Sequence, residues 1–248
     1  MKTLIITGAG RGIGAATARL CAAHGFAVAV NYHRNAEAAD AVVSAIRAAG
    51  GIAEAICADI SDEAGVLHLF AETARLLPWP LVGLVNNAGI LETQMRLADM
   101  DAGRLERIFR ANVIGQFLCA REAVKRMSTS SGGSGGAIVN VSSLAAKTGA
   151  PNEYLDYAAS KAALDALTTG LSKEVAAEGI RVNSVRPAFI YTDIHADGGE
   201  PGRVDRIKDS IPMARGGQPE EVAEAILWLL SDKASYATGT FIDLAGGK

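Results

Sequence analysis

The strongest constraint on this chain lies in its first fourteen residues. The apolar run Leu4-Ile5-Ile6 passes into Thr7-Gly8-Ala9-Gly10-Arg11-Gly12-Ile13-Gly14, and a helical pattern begins at once. Glycines at this spacing allow a sharp strand-to-helix turn, close approach of the backbone to a pyrophosphate, and tight packing of the helix on its strand. The helix N-terminus then presents unpaired N–H groups and a positive dipole end to phosphate. A turn of this kind predicts a parallel α/β sheet and a dinucleotide ligand.

The remainder keeps that rhythm. Short β-branched or leucine-rich runs at Leu4–Thr7, Ala27–Asn31, Ala53–Cys57, Leu81–Asn86, Ala137–Val141, Arg181–Arg186 and Thr240–Leu244 predict seven strands. They lack clean alternation, as expected of strands covered on both faces. Helical patterns lie between them at Gly12–His24, Ala36–Ala49, Glu63–Leu77, Ala102–Met127, Tyr154–Glu178 and Pro219–Ser231. The expected architecture is a Rossmann-type, doubly wound parallel sheet of about seven strands with helices on both faces. No linker divides the 248 residues, so one dinucleotide-binding domain over 1–248 is expected. Two stretches interrupt the pattern. Ser128–Gly136 reads as a flexible polar surface loop, and the long irregular segment 188–217 reads as a substrate lid.

The end of the second strand bears on the choice of dinucleotide. NAD sites place an acid ~20 residues beyond the glycines to bind the ribose 2′-hydroxyl. Here the strand ends Asn31-Tyr32-His33-Arg34-Asn35, without an acid. Arg34, with Arg11 in the turn, suits a 2′-phosphate through planar guanidinium hydrogen bonds. NADP(H) is the expected cofactor, with NAD(H) as the alternative.

Tyr157 and Lys161 stand four residues apart on a predicted helix and share a face. A neighbouring ammonium favours phenolate, which predicts a lowered tyrosine pKa and a general acid/base. Upstream, Val139-Asn140-Val141-Ser142-Ser143 ends a strand, placing hydroxyls at the carboxyl edge of the sheet where α/β crevices lie. Asn86-Asn87-Ala88-Gly89 ends another strand, and Asn112 falls inside the helix that follows.

Taken in order, these motifs resemble the short-chain dehydrogenase/reductases. TGAGRGIG at Thr7–Gly14, Asp59, NNAG at Asn86–Gly89, Asn112, Ser143 and YxxxK at Tyr157–Lys161 span the chain. The context NYHRNAEAA and YAASKAAL is most similar to bacterial 3-ketoacyl reductase-like and glucose dehydrogenase-like members. The resemblance implies an NADP(H)-dependent carbonyl reductase or alcohol dehydrogenase in which Asn112, Ser143, Tyr157 and Lys161 are catalytic. Tyr157 would exchange a proton with the substrate oxygen, Lys161 would lower its pKa and hold the nicotinamide ribose, Ser143 would hydrogen-bond the carbonyl, and Asn112 would support a water-linked proton path. Gly8, Arg11, Gly12, Ile13, Gly14, Arg34, Asp59, Ile60, Asn87, Ala88, Gly89, Pro187, Ile190 and Thr192 would line the cofactor site together with Tyr157 and Lys161. Ser142 is the alternative to Ser143. Tyr154, with six residues between it and Lys161 in the manner of enoyl reductases, is expected to line the pocket. Where the family carries Pro-Gly, this chain has Pro187-Ala188, which predicts a lid that starts differently.

Other classes are disfavoured. Cys21, Cys57 and Cys119 and the four histidines show no metal-ligand spacing, so no metal is expected. A formal net charge of −3 with mixed signs along the chain offers no track for nucleic acid. No run approaches the ~20 apolar residues of a membrane span. A cytoplasmic enzyme acting on a small carbonyl or alcohol is expected, with a homotetramer implied by the resemblance. The rival readings are a catalytically silent dinucleotide-binding sensor or scaffold and an NAD-using sugar or alcohol dehydrogenase.

Overall fold

A computed structural model describes residues 1–248. Its seven strands are β1 (Lys2–Ile6), β2 (Phe26–Tyr32), β3 (Ile52–Cys57), β4 (Leu81–Asn86), β5 (Gly136–Val141), β6 (Ile180–Pro187) and β7 (Phe241–Leu244). They form one sheet in the order β3-β2-β1-β4-β5-β6-β7, every pairing parallel. Strand order reverses between β1 and β4. At such a switch point the connections leave in opposite directions and open a crevice at the carboxyl ends of the strands.

The helices are α1 (Gly12–Ala23), α2 (Ala36–Ala48), α3 (Glu63–Leu76), α4 (Ala102–Phe109), α5 (Gly115–Met127), α6 (Ala145–Thr148), α7 (Leu155–Glu174), α8 (Ile194–Asp197), α9 (Arg203–Ile207) and α10 (Pro219–Leu230). None is long and apolar enough to cross a membrane. The two faces of the sheet carry separate cores. Leu4 and Ile6 of β1 join Val42, Ile226 and Leu230 on the face of α1, α2 and α10. Ile5, between them, joins Leu69, Phe70 and Ala123 on the face of α3 and α5. Both faces of β1 are therefore apolar, which explains the missing alternation.

Three expectations change. The stretch Ala102–Met127 is not one regular helix: a π turn, Arg110–Ile114, separates α4 from α5. The glycine-rich 128–136 loop is hydrogen-bonded rather than a free linker, with Gly133 N–H donating to Ser128 O (2.8 Å), Gly135 to Met127 O (2.8 Å) and Gly136 to Gly179 O (2.9 Å). Segment 188–217 is also less irregular than its glycines and prolines suggest, since it holds α8 and α9.

Candidate active site

The turn between β1 and α1 is shaped by main-chain fit. Gly8 has φ +61°, and a Cβ on Gly14 would lie 2.5 Å from Asn87 Nδ2 and 2.6 Å from Gly8 O. A side chain at either position would collide with neighbouring backbone or with the amide that holds it. Asn87 Nδ2 donates to the carbonyls of Thr7 (2.8 Å) and Gly8 (3.0 Å). In return Thr7 Oγ1 accepts from the N–H groups of Asn87 and Ala88, both at 3.0 Å. Asn31 closes the other side: its Oδ1 accepts from Gly8 N–H, while Nδ2 donates to Ile56 O and Ala58 O. Arg11 caps α1 without a side-chain hydrogen bond, so the first N–H groups of the helix stay available to an anion.

The end of β2 and the segment after β3 form the far wall. His33, Arg34, Asn35, Asp59 and Ile60 border one cavity together with Gly8, Gly12 and Ile13. His33 Nε2 lies 3.6 Å from Asp59 Oδ2. Burial raises the Asp59 carboxyl, but the hydrogen bond from Ser61 N–H and the charges of His33 and Arg34 leave it below its ordinary value. Both expected 2′-phosphate ligands border this cavity, but they differ in engagement: Arg11 is paired with Asp197 of α8, whereas Arg34 has no ion pair.

At the opposite end of the cavity stand Ser143, Tyr157 and Lys161. Ser143 Oγ accepts from Ala145 N–H (3.1 Å) and faces the Tyr157 phenol. Ser142 points elsewhere, donating to Lys161 O (3.1 Å), and is thereby spent on α7. Lys161 Nζ donates to Val141 O (2.8 Å) and lies 5.6 Å from the Tyr157 ring centroid. The tyrosine pKa differs from the sequence expectation. Burial pushes the phenol up to about 12, against a smaller lowering by Ser143, and pushes the Lys161 ammonium down to about 8. Desolvation dominates both shifts, and the ammonium is directed at a carbonyl rather than at the phenol oxygen.

Asn112 sits in the π turn, fully buried. Its Oδ1 accepts from Ile90 N–H (2.8 Å) and its Nδ2 donates to Ile90 O (3.0 Å) and Ser160 Oγ (3.1 Å). The side chain thus joins strand end to α7, with no hydrogen bond to Lys161. Gly89 lies between them: a Cβ there would sit 3.4 Å from Asn112 Oδ1 and 3.5 Å from Lys161 Nζ.

The 188–217 segment covers this end. Ile190 bridges to Gly217, and the Thr192 side chain lies over Gly12 at the start of α1. Pro187 O accepts from Leu144 N–H (2.9 Å). Ala188 needs no special backbone: it is absent from the left-handed region, and its N–H donates to Leu244 O (3.0 Å). Alanine therefore holds this position without backbone strain. Tyr154 Oη donates to Gly198 O (3.1 Å), which commits its hydroxyl to the segment. His195 is buried with Nε2 3.0 Å from Ile190 O, and desolvation lowers its pKa.

Sequence reasoning missed Thr7, Asn31 and Ser160, whose side chains organise the residues it did find. It also missed Arg104 and Asp156. Arg104 Nε lies 2.7 Å from Asp156 Oδ2, both side chains are buried, and Asp156 Oδ1 accepts from Tyr157 N–H (2.9 Å). A polar residue immediately before the tyrosine was the only available signal. The whole cavity measures about 870 Å³ and runs unbroken from Arg34 to Tyr157.

Comparison with known proteins agrees with this layout. A family model described as enoyl-(acyl carrier protein) reductase matches residues 8–248. The chain is 62% identical over its full length, and that of its relative, to the uncharacterized oxidoreductase YgfF of Escherichia coli. It is 40% identical to a 3-oxoacyl-[acyl-carrier-protein] reductase of Synechocystis, covering 99% of this chain and 96% of that one. Among solved structures, a short-chain dehydrogenase/reductase variant of Serratia marcescens superposes with a TM-score of 0.90 at 34% identity, over 99% of this chain and 97% of the other. With its parallel seven-stranded sheet, glycine turn and YxxxK helix, the chain belongs to the short-chain dehydrogenase/reductase family of oxidoreductases.

Proposed function

We propose that this protein is an NADP(H)-dependent oxidoreductase interconverting a carbonyl, such as a ketone or keto ester, and a secondary alcohol. The observation that carries the reading is convergence. Ser143, Tyr157 and Lys161 stand at one end of the cavity whose other end is the bare helix N-terminus behind the glycine turn. The residues fit a dinucleotide: Gly8, Gly12, Ala88 and Gly89 keep side-chain bulk out of a channel that Ile13 and Asn87 also line, with Ile190, Thr192 and Pro187 as its outer wall. Arg34 is the group suited to a 2′-phosphate. Arg11, paired with Asp197, takes the smaller share in that contact.

When bound, the nicotinamide supplies the hydride. The chain's own part is proton transfer and charge stabilisation. As the carbonyl carbon is reduced, negative charge grows on its oxygen. Tyr157 Oη gives that oxygen its proton while Ser143 Oγ–H donates to the same atom. Burial holds the phenol protonated, with its pKa near 12, and so favours it as the acid in the reducing direction. Lys161 stands beside it as the counter-charge once phenolate forms, anchored through Val141 O. Asn112 is a positioning residue: through Ile90 and Ser160 it fixes the wall beside Lys161. Residues 188–217 act as the lid that excludes water.

The enoyl-reductase alternative would need Tyr154 as acid, and its hydroxyl is engaged by Gly198. The same reading includes a cytoplasmic location and a homotetramer, the latter tested by light scattering. The function is tested by NADPH and NADH oxidation across ketones, β-keto esters, sugars and acyl thioesters. Turnover of a ketone or keto ester with preference for NADPH is expected. Tight dinucleotide binding with no turnover of any class would support the silent sensor, and equal or better use of NADH would remove Arg34 from its role.

A further inference from the structure

The lid contains a buried cation that the chemistry above does not use. Arg203, the first residue of α9, is 7% exposed. Its Nη1 donates to Glu200 Oε2 (3.0 Å), and its Nη2 donates to the carboxylate of Glu153, two residues before α7 begins. The guanidinium carbon lies 5.0 Å from the Tyr154 ring centroid and 5.7 Å from that of Phe189. These contacts do not stand alone. Tyr154 donates to Gly198 O in the lid, Glu200 also accepts from Gln94 Nε2 (2.7 Å) and pairs with Arg206, and Met95 N–H donates to Glu153 O (3.0 Å).

An arginine is well suited to such a place. Its planar fork meets two carboxylates at once and its faces stack on aromatic rings, which a lysine does less well. With Glu153 and Glu200 both against it, its charge is balanced within the protein. It therefore has no net charge to offer a substrate anion, although it borders the cavity. Leu91, Leu144, Tyr154, Phe189 and Ile194, which border the same cavity, are apolar or aromatic.

We propose that Arg203 is a positioning residue that pins the lid to the entrance of the Tyr157 helix and so sets the shape of the substrate half of the cavity. It acts through Glu153, Tyr154 and Phe189, not on the reacting atoms. The kinetic consequence rests on the oxidoreductase reading; the pinning does not.

The test uses full-length wild type, Arg203→Met, Glu153→Gln and the double variant. Hydrogen exchange, read without any ligand, should accelerate about tenfold or more across residues 194–207 in Arg203→Met while residues 12–23 stay unchanged, because the lid loses its guanidinium contacts to Glu153, Tyr154 and Phe189. The double variant should be little worse than either single one, as expected of coupled partners. Arg203→Lys keeps the charge and guards against a folding failure of the methionine variant; its lid exchange should fall between the two. Unchanged exchange in residues 194–207 for both Arg203 variants would overturn the pinning.

Kinetics are read with NADPH and the pair ethyl acetoacetate and acetoacetate, which differ by one charge. Arg203→Met should raise KM by about tenfold for whichever of the two is turned over, with kcat changed less and the dissociation constant for NADPH unchanged. A loss confined to acetoacetate would make Arg203 a substrate receptor and contradict the proposal. If wild type turns over no carbonyl compound, the oxidoreductase reading fails, and the exchange data still decide the pinning.

Discussion

The two halves of the cavity are built from different materials. The dinucleotide half is made of backbone: glycines at Gly8 and Gly14, carbonyls gripped by Asn87, and N–H groups oriented by Thr7 and Asn31. The substrate half is made of side chains brought together from distant segments, with Arg104 on Asp156, Arg203 on Glu153 and Glu200, and Tyr154 on Gly198. Backbone geometry tolerates few residue types, so the first half leaves a mark in the sequence. Ion pairs and ring contacts can be made by many combinations, so the second leaves almost none. A ligand site common to a family fits the first kind of construction, and one that varies with substrate fits the second.

The largest expected effect lies on the side-chain-built half. Arg104→Met leaves the Asp156 carboxylate buried without its partner, which should destabilise the fold by about 3–5 kcal/mol in denaturant titration. Arg104→Met combined with Asp156→Leu should recover most of that loss. Dinucleotide affinity should change little in whatever fraction stays folded. A large rise in its dissociation constant would break the separation between the halves.

Gly14→Ala probes the other half. Its Cβ would meet Asn87 Nδ2 and Gly8 O at 2.5 and 2.6 Å, a collision that should cost about 1–3 kcal/mol. Here the loss should fall on NADPH binding, measured by fluorescence titration. Unaltered affinity would mean that the turn has slack which the geometry denies.

Arg34→Ala sharpens the comparison inside the dinucleotide half. It should weaken NADPH relative to NADH by about tenfold, in keeping with the loss of one charge-assisted contact. Arg11→Ala, which removes the pairing with Asp197, should change that ratio less. The reverse ranking would reassign the 2′-phosphate to the turn.

The last effect is a pH dependence. Lys161 has its pKa lowered from 10.5 to about 8 in the fold, so between those values the unfolded chain binds more protons. Its contribution to stability therefore rises as pH increases from 8 to 10. The stability difference between wild type and Lys161→Met should move in favour of wild type over that window. A flat difference would show that Lys161 is not desolvated as its place on Val141 O requires.

The same contrast explains how far the sequence could be read. All seven strands and the glycine turn were legible, because buried parallel strands need unbroken apolar runs and the turn needs glycine. The π turn at Arg110–Ile114 was not, since one extra residue in a helical ladder leaves no compositional trace, yet it places Asn112 against Ile90 and Ser160. Ser143 was separable from Ser142 only by seeing Ser142 bonded to Lys161 O. The tyrosine pKa failed for a similar reason: i and i+4 spacing gives proximity on a helix, but not the direction of an ammonium or the burial of a phenol. Nor could spacing reveal that Arg203 and Glu153, fifty residues apart, would meet.

The account depends most on Tyr157 as the acid and base of a site whose dinucleotide half works independently of it. The direct measurement is NADPH-dependent reduction of the best carbonyl substrate by Tyr157→Phe and Tyr154→Phe, with NADPH affinity recorded for each. Tyr157→Phe should lose about 10²–10⁴-fold in kcat with near-normal NADPH binding, and Tyr154→Phe should retain most of its turnover. Retained carbonyl reduction in Tyr157→Phe, with loss in Tyr154→Phe, would contradict the assignment and move the chemistry to the tyrosine that here holds Gly198.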